Sequence, residues 1–233
     1  MKRQYGFRRA RRVRAITTAL AIALTPGLLA SRPGQAYEKP PGSWTFFLSP
    51  GVTLETDQTS TFALTQGTRL ESRSGADKLS RFLDAEVAWR LLPFFSLAGD
   101  FEGVVYRHAD GSPNDKSLAL FVVPRAQTGE EGLVLWAGCG VGEVLNLMAT
   151  GPVAGAALNY NLDHSKASFG VSPRAGFDYI MSGYTLGLQA SYTQTSFTLN
   201  GSAVDPTTGA TAPMTDQISR HWWALAGRFG FQW

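Results

Sequence analysis

The sequence predicts an all-β fold, one closed antiparallel barrel of eight up-and-down strands behind a short export segment. Three observations predict it. After residue 36 the hydrophobicity alternates with a period of two rather than 3.6, which marks strands with unlike faces. Tight turns and long polar connections alternate along the chain, as in hairpins whose two ends meet different surroundings. The apolar set of each strand is rich in Phe, Trp and Tyr, yet no later segment reads as an amphipathic helix that could cover it.

Composition narrows the partners. The 233 residues are 44% apolar, 12% aromatic and 17% charged. That charge content is below the roughly 25% of an ordinary soluble domain. The single cysteine, Cys139, excludes a disulfide framework and a zinc–thiolate centre. Eight of the 21 basic residues lie in residues 1–36 with no acid among them, so the remainder carries 13 basic against 18 acidic residues. The basic isoelectric point therefore belongs to the leader, and a nucleic-acid partner is excluded on charge.

The leader has the layout of a signal peptide. Met1–Arg14 is its basic region, Ala15–Ala30 an uncharged apolar run, and Gly34-Gln35-Ala36 offers the small residues of a cleavage site. The run is shorter than the about 20 residues of a membrane helix and is broken by Pro26. The expected organisation is a signal peptide over residues 1–36 and a barrel domain over 37–233, starting at Tyr37. With no cysteine directly after the apolar run, at the cleavage site, no lipid anchor is expected.

The eight strands follow in order. Trp44, Phe46, Leu48, Pro50, Val52 and Leu54 alternate with Thr45, Ser49, Gly51, Thr53 and Glu55, Phe47 being the exception on the polar face. Over Arg81–Leu91, Leu83, Ala85, Val87, Trp89 and Leu91 oppose Asp84, Glu86 and Arg90. Over Phe95–Tyr106, Phe95, Leu97, Phe101 and Val105 oppose Ser96, Asp100 and Glu102. Ser117–Arg125 and Leu133–Leu145 are more uniformly apolar, so their phase stays open. Phe169–Tyr179 and Tyr184–Thr193 form a hairpin around Ser182-Gly183, with Leu188 on the apolar face and Gln189 on the polar one. Trp223, Leu225, Gly227, Phe229, Phe231 and Trp233 close the series. Short links lie around Pro93, at Gln127–Glu131 and at Ser182-Gly183. Long loops are expected at Asp57–Ser80, His108–Lys116, Asn146–Ser168 and Ser196–Gln217.

An outward aromatic face needs only lipid, and a closed ring satisfies every backbone N–H and C=O in hydrocarbon. The pattern thus implies a transmembrane barrel with both termini and the tight turns on the inner side of its membrane.

The end of the chain, Phe229-Gly230-Phe231-Gln232-Trp233, carries a resemblance: the mature chain resembles the small eight-stranded outer-membrane barrels of the OmpA, OmpX and opacity-protein type. In that family a terminal aromatic with further aromatics at alternate positions is read by the barrel-assembly machinery. Trp233 and Phe231 match those positions, although Gly227 sits one place from the usual glycine and Trp replaces the commoner terminal Phe. The resemblance implies the outer membrane of a Gram-negative bacterium, with outer-membrane lipid, lipopolysaccharide and the assembly machinery as partners. It also implies a non-enzymatic surface or structural role, with a small passive pore or a lipid-A-modifying enzyme as alternatives.

Residues with candidate chemistry fall inside the expected barrel and at its rim. Pairing through the Pro93 turn, with Leu91 opposite Phe95, sets Glu86 opposite Asp100 and Asp84 opposite Glu102. Arg90, Arg125, Arg174 and Arg228 would join these carboxylates in an interior ion-pair network, favoured over an acid/base site because buried charges need partners and a substrate would lack an entry path. The lipid-A deacylases of the resembling family carry His-x-Ser and a Glu. Here the order is reversed, Ser219-Arg220-His221, and Glu143 is expected to face outward. His108 and His164 fall in expected loops with no ligand spacing. Gly138-Cys139-Gly140-Val141-Gly142 lacks the following helix of a phosphate site and is expected to serve close packing, with Cys139 facing lipid. No catalytic, cofactor-binding or metal residue is assigned. The external loops, among them a mobile Asn200–Met214 and an apolar Met148–Tyr160, are the expected interaction site, for a ligand the sequence does not name.

Overall fold

The computed structural model describes residues 43–64, 69–75, 80–106, 115–129, 131–148, 159–181, 183–204 and 209–232. The leader over residues 1–36, His108 and Trp233 lie outside the described residues. Ten strands are described: β1 (Trp44–Leu64), β2 (Arg69–Gly75), β3 (Ser80–Leu92), β4 (Phe95–Tyr106), β5 (Asp115–Gln127), β6 (Gly132–Leu147), β7 (Asn159–Leu162), β8 (Ser165–Met181), β9 (Tyr184–Val204) and β10 (Thr211–Gln232).

Eight of them close a ring. Starting at β1 the neighbours run β3, β4, β5, β6, β8, β9 and β10, and β10 returns to pair with β1. All these pairings are antiparallel, with Phe46 opposite Phe231 at the seam. β2 and β7 stand outside the ring, pairing with β1 and β9 respectively.

The tight turns gather at one end. Pro93 and Phe94 alone separate β3 from β4, and Leu92 pairs with Phe95, so the expected Leu91–Phe95 pairing is one residue off at the turn. A bulge between Arg90 and Leu92 absorbs the difference, restoring the expected Glu86–Asp100 and Asp84–Glu102 pairs above it. Between β8 and β9, Met181 pairs with Tyr184 and Gly183 adopts φ of +83°, a conformation open to glycine.

At the other end the expected loops give way to strand. β1 continues to Leu64 and pairs with β2 inside Asp57–Ser80. β9 and β10 run on to pair Val204 with Thr211 inside Ser196–Gln217, so most of Asn200–Met214 is ladder rather than a mobile loop. β7 occupies the end of Asn146–Ser168, and Asp115 and Lys116 belong to β5. The apolar alternation ends short of these strand ends. The backbone continues because Thr- and Ser-rich segments also suit a pleated ladder.

Faces follow the alternation. Trp44, Leu48, Leu83, Val87, Trp89, Phe101, Leu120, Leu135, Phe177, Leu188, Leu225 and Phe229 are exposed on the outside, and Phe47 is the buried exception on β1. Leu188 is 44% exposed while its neighbour Gln189 is 1% exposed. The two strands of open phase are decided as well. Ser117, Phe121, Val123 and Arg125 face inward on β5, and Val134, Trp136 and Gly140 do so on β6.

Two aromatic girdles bound the apolar belt. Trp44 stacks on Trp89 with ring centroids 5.7 Å apart, and Tyr184 meets Phe231 at 5.5 Å, both near the tight turns. Tyr192 and Trp223 pair at 4.8 Å toward the other end. From Phe231 to Trp223 is eight steps of about 3.4 Å, roughly 21 Å of height at a 40° tilt, close to the apolar band of a transmembrane barrel.

Candidate functional site

The interior is built from residues on the polar phase of each strand. β3 supplies Asp84, Glu86 and Arg90, β4 supplies Asp100 and Glu102, and β5 supplies Arg125; β8 adds Arg174 and Asp178, β9 Gln189 and β10 Arg228, all of them buried. These groups bond across the barrel rather than along it. Arg174 Nη1 donates to Asp100 Oδ2 at 2.5 Å and lies 3.5 Å from Asp84 Oδ2, while its Nη2 donates to Glu102 Oε1 at 3.2 Å and Ser172 Oγ at 3.0 Å. Arg228 Nε donates to Asp178 Oδ1 at 3.1 Å, Nη1 to Gln189 Oε1 at 2.9 Å and Nη2 to Glu86 Oε1 at 3.4 Å. Gln189 Nε2 donates to Asp84 Oδ2 at 2.6 Å and so joins the two arginine clusters. Arg125 pairs with Glu86.

Aromatic rings fill the space between these ions. The Arg228 guanidinium lies 3.8 Å from the Phe47 ring centre and 4.6 Å from that of Trp136, and Arg125 lies 4.4 Å from Trp136. A planar, weakly hydrated guanidinium can stack on a ring while its edge serves carboxylates, which suits Arg rather than Lys to this interior. Glycines make room for the rings. A Cβ on Gly230 would come within 2.7 Å of Phe47, and one on Gly170 would come within 2.5 Å of Val144 and 3.3 Å of Phe121. The Gly138–Gly142 run serves the same end: a Cβ on Gly140 would meet Phe121 and Arg174 at 3.2 Å. Its glycines pack the wall, and Cys139 is half-buried on the outward phase.

Asp84, Asp100 and Glu102 each offer an oxygen within 4.8 Å of the others, the spacing of a cation site. Arg174 contacts all three, so a guanidinium already supplies the positive charge that a metal would bring.

A second cluster lies above the first, where sequence reasoning placed nothing. Arg220 Nη2 donates to Asp115 Oδ2 at 3.0 Å and Nη1 to Ser117 Oγ at 3.2 Å, with the Tyr106 ring centre 4.6 Å from its guanidinium. The apolar alternation places Asp115 in the His108–Lys116 loop and makes Arg220 the spacer between Ser219 and His221. The available signal was parity: Arg220 shares the inward phase with Trp222 and Ala224, all three buried.

At the rim, Ser219 and His221 share a face of β10 but engage different neighbours. Ser219 Oγ meets Ser196 Oγ at 3.4 Å, and the His221 ring lies 5.8 Å from Tyr192. Glu143 is exposed on the outward phase of β6, opposite Phe169. His164 sits in the bend between β7 and β8, where its carbonyl accepts from the Met148 N–H at 2.8 Å.

The architecture has solved counterparts. The outer membrane protein OprG from Pseudomonas aeruginosa matches with a TM-score of 0.60 over 82% of this chain and 96% of its own, at 13% identity. The outer membrane protease OmpT from Escherichia coli matches with a TM-score of 0.52 over 85% and 99%, at 9% identity. No protein-family model and no curated protein matches the sequence. At such identities the likeness is one of fold. The chain is an eight-stranded transmembrane β-barrel of the outer-membrane type.

Proposed function

We propose that this chain is a non-enzymatic barrel of a Gram-negative outer membrane, a plugged anchor that holds a sheet of its own strands above the bilayer. One observation carries the reading. The interior is closed by cross-barrel Arg–carboxylate bonds packed with Phe47, Phe121 and Trp136, while β1, β9 and β10 continue past the apolar belt. Such a lattice spans the lumen with ion pairs and rings, which opposes both a water path and the entry of a substrate. A fold shared with both OprG and a protease does not decide catalysis, and the rim residues carry more weight. Ser219 pairs hydroxyl to hydroxyl with Ser196, a contact that does not activate a nucleophile. Export with cleavage before Tyr37, recognition of the C-terminal strand by the barrel-assembly machinery, and residence among lipopolysaccharide belong to the same proposal. The outward Phe229 and Phe231 support the second of these.

The test is purified barrel in planar bilayers, together with mass spectrometry of lipid A from cells expressing it. The expected result is no stepwise conductance and unchanged lipid A. Steady ohmic steps would favour the pore, and a loss or gain of an acyl chain or headgroup would favour the enzyme.

A further inference from the structure

We infer that the outward face of the β9–β10 extension binds saccharide, and that its occupant is the core oligosaccharide of the glycolipid leaflet around the barrel. The inference rests on the outer-membrane reading above and names the chemistry of one contact within it.

The first support is position. On β9 the outward residues change from Leu186, Leu188, Ala190 and Tyr192 to Gln194, Ser196 and Thr198, and on β10 they change from Trp223 to His221, Ser219 and Gln217. The polar face therefore begins directly above the upper girdle and points sideways along the membrane. It continues the lipid-facing surface into the layer where a glycolipid carries its sugars.

The second support is chemistry. Ser196 stands opposite Ser219 and Thr198 opposite Gln217, so the described face presents hydroxyls and amides in register; its outward residues Gln194, Ser196, Thr198, Thr215, Gln217 and Ser219 are all uncharged, and Asp216 is buried on the inward phase. Hydroxyl and amide groups both donate and accept, as sugar hydroxyls do. Their spacing, about 4.8 Å across strands and 6.8 Å along them, is on the scale of one sugar ring. At the foot of the face Tyr192, Trp223 and His221 form a continuous ring cluster with centroids 4.8 and 5.8 Å apart, an apolar platform with polar edges.

The third support is a groove. The β8–β9 ladder stops at Gly170 opposite Thr195, and a cleft of about 360 Å³ opens there, lined by Phe169, Val171, Gln194, Thr195 and Ser196. Its β8 wall is apolar and its β9 wall polar, with Val171 standing opposite Gln194, so the two walls lie side by side at one height where the belt meets the face.

The experiment places wild-type protein and a Ser196→Ala/Thr198→Val/Ser219→Ala variant in nanodiscs of phospholipid mixed with lipopolysaccharide, of either full core or deep-rough type. The amount retained per barrel is read by native mass spectrometry. Wild type is expected to retain the full-core form at least tenfold better than the deep-rough form. The variant is expected to lose that preference while keeping the wild-type melting temperature in pure phospholipid. Equal retention of both forms by wild type, or a preference that survives in the variant, overturns the inference. Binding of free core oligosaccharide to barrels in phospholipid discs, without core-dependent retention, would move the face to a soluble glycan and overturn the leaflet assignment. Failure to insert into any disc would instead strike the membrane reading, and it is visible before lipopolysaccharide is added.

Discussion

β9 and β10 each cross two environments, and their alternation reverses between them. Below Tyr192 and Trp223 the apolar residues face out and the interior holds Arg228, Gln189 and their carboxylates. Above that line Thr198, Asn200, Thr215 and Gln217 face out, while Phe197, Leu199 and Ile218 are buried within, with Met148 and Leu162 packed against them. The lower part is dressed for lipid and the upper part for water. The same ladder and the same period of two serve both, so the membrane boundary is written as a change of phase rather than as a change of secondary structure.

The contrast predicts different consequences for matched substitutions. Arg174→Ala removes a guanidinium that contacts Asp84, Asp100 and Glu102 together, and it should destabilise the barrel by about 3–5 kcal/mol because it strands buried carboxylates. Urea unfolding in detergent or bilayers measures this; a variant as stable as wild type would remove the lattice from the account of stability. A charge on the outside sharpens the comparison. Leu188→Arg should cost about 2–4 kcal/mol near the bilayer midplane. Thr198→Arg, ten residues on along the same strand and the same face, should stay within about 0.5 kcal/mol, as exposed polar positions do. Equal costs at the two positions would place the boundary elsewhere.

A labelling experiment reads the same faces without a stability term. In a Cys139→Ala background, a fluorophore on a cysteine at position 188 should be quenched strongly by a lipid-borne quencher. The same label at 189 or 198 should be quenched weakly. Strong quenching at 189 with weak quenching at 188 would mean a register shifted by one. The smallest effect concerns pH. Burial raises the Asp216 carboxyl, in the upper part, from 3.8 to about 6, and its Oδ1 has no hydrogen-bond partner. As pH rises from about 4, the unfolded carboxyl ionises before the folded one, so unfolding gains. The extension should therefore lose stability between about pH 4 and 6 and hold a constant deficit above. Asp216→Asn should flatten that slope in hydrogen exchange of the β9–β10 ladder; an unchanged slope would assign it to another group.

Parity in sequence was enough to recover the faces of six strands and much of the inner site. Asp84, Glu86, Asp100 and Glu102 could be paired from the alternation and one short turn, because a hairpin fixes its register locally. Arg90, Arg174 and Arg228 followed from phase alone. Arg125 needed the structure to settle the phase of β5, where apolar residues occupy both faces. Phe47 was visible only as a break in a pattern, and the reason for it, a guanidinium 3.8 Å away on β10, lies far along the chain.

What the sequence by itself determined is therefore local: strand identity, the order of tight and long connections, which side of each strand is apolar, and the pairing across one turn. These depend on neighbours within a few residues, where a period of two and a turn leave little choice. The tertiary structure alone decided which arginine meets which carboxylate, that Asp115 reaches Arg220, and that the expected Ser196–Gln217 loop carries a ladder whose apolar side turns inward. Ring closure brings Arg174 to Asp100 across 74 residues. No local pattern encodes that distance, because it is set by how many strands stand between the two and by how the barrel shears as it closes.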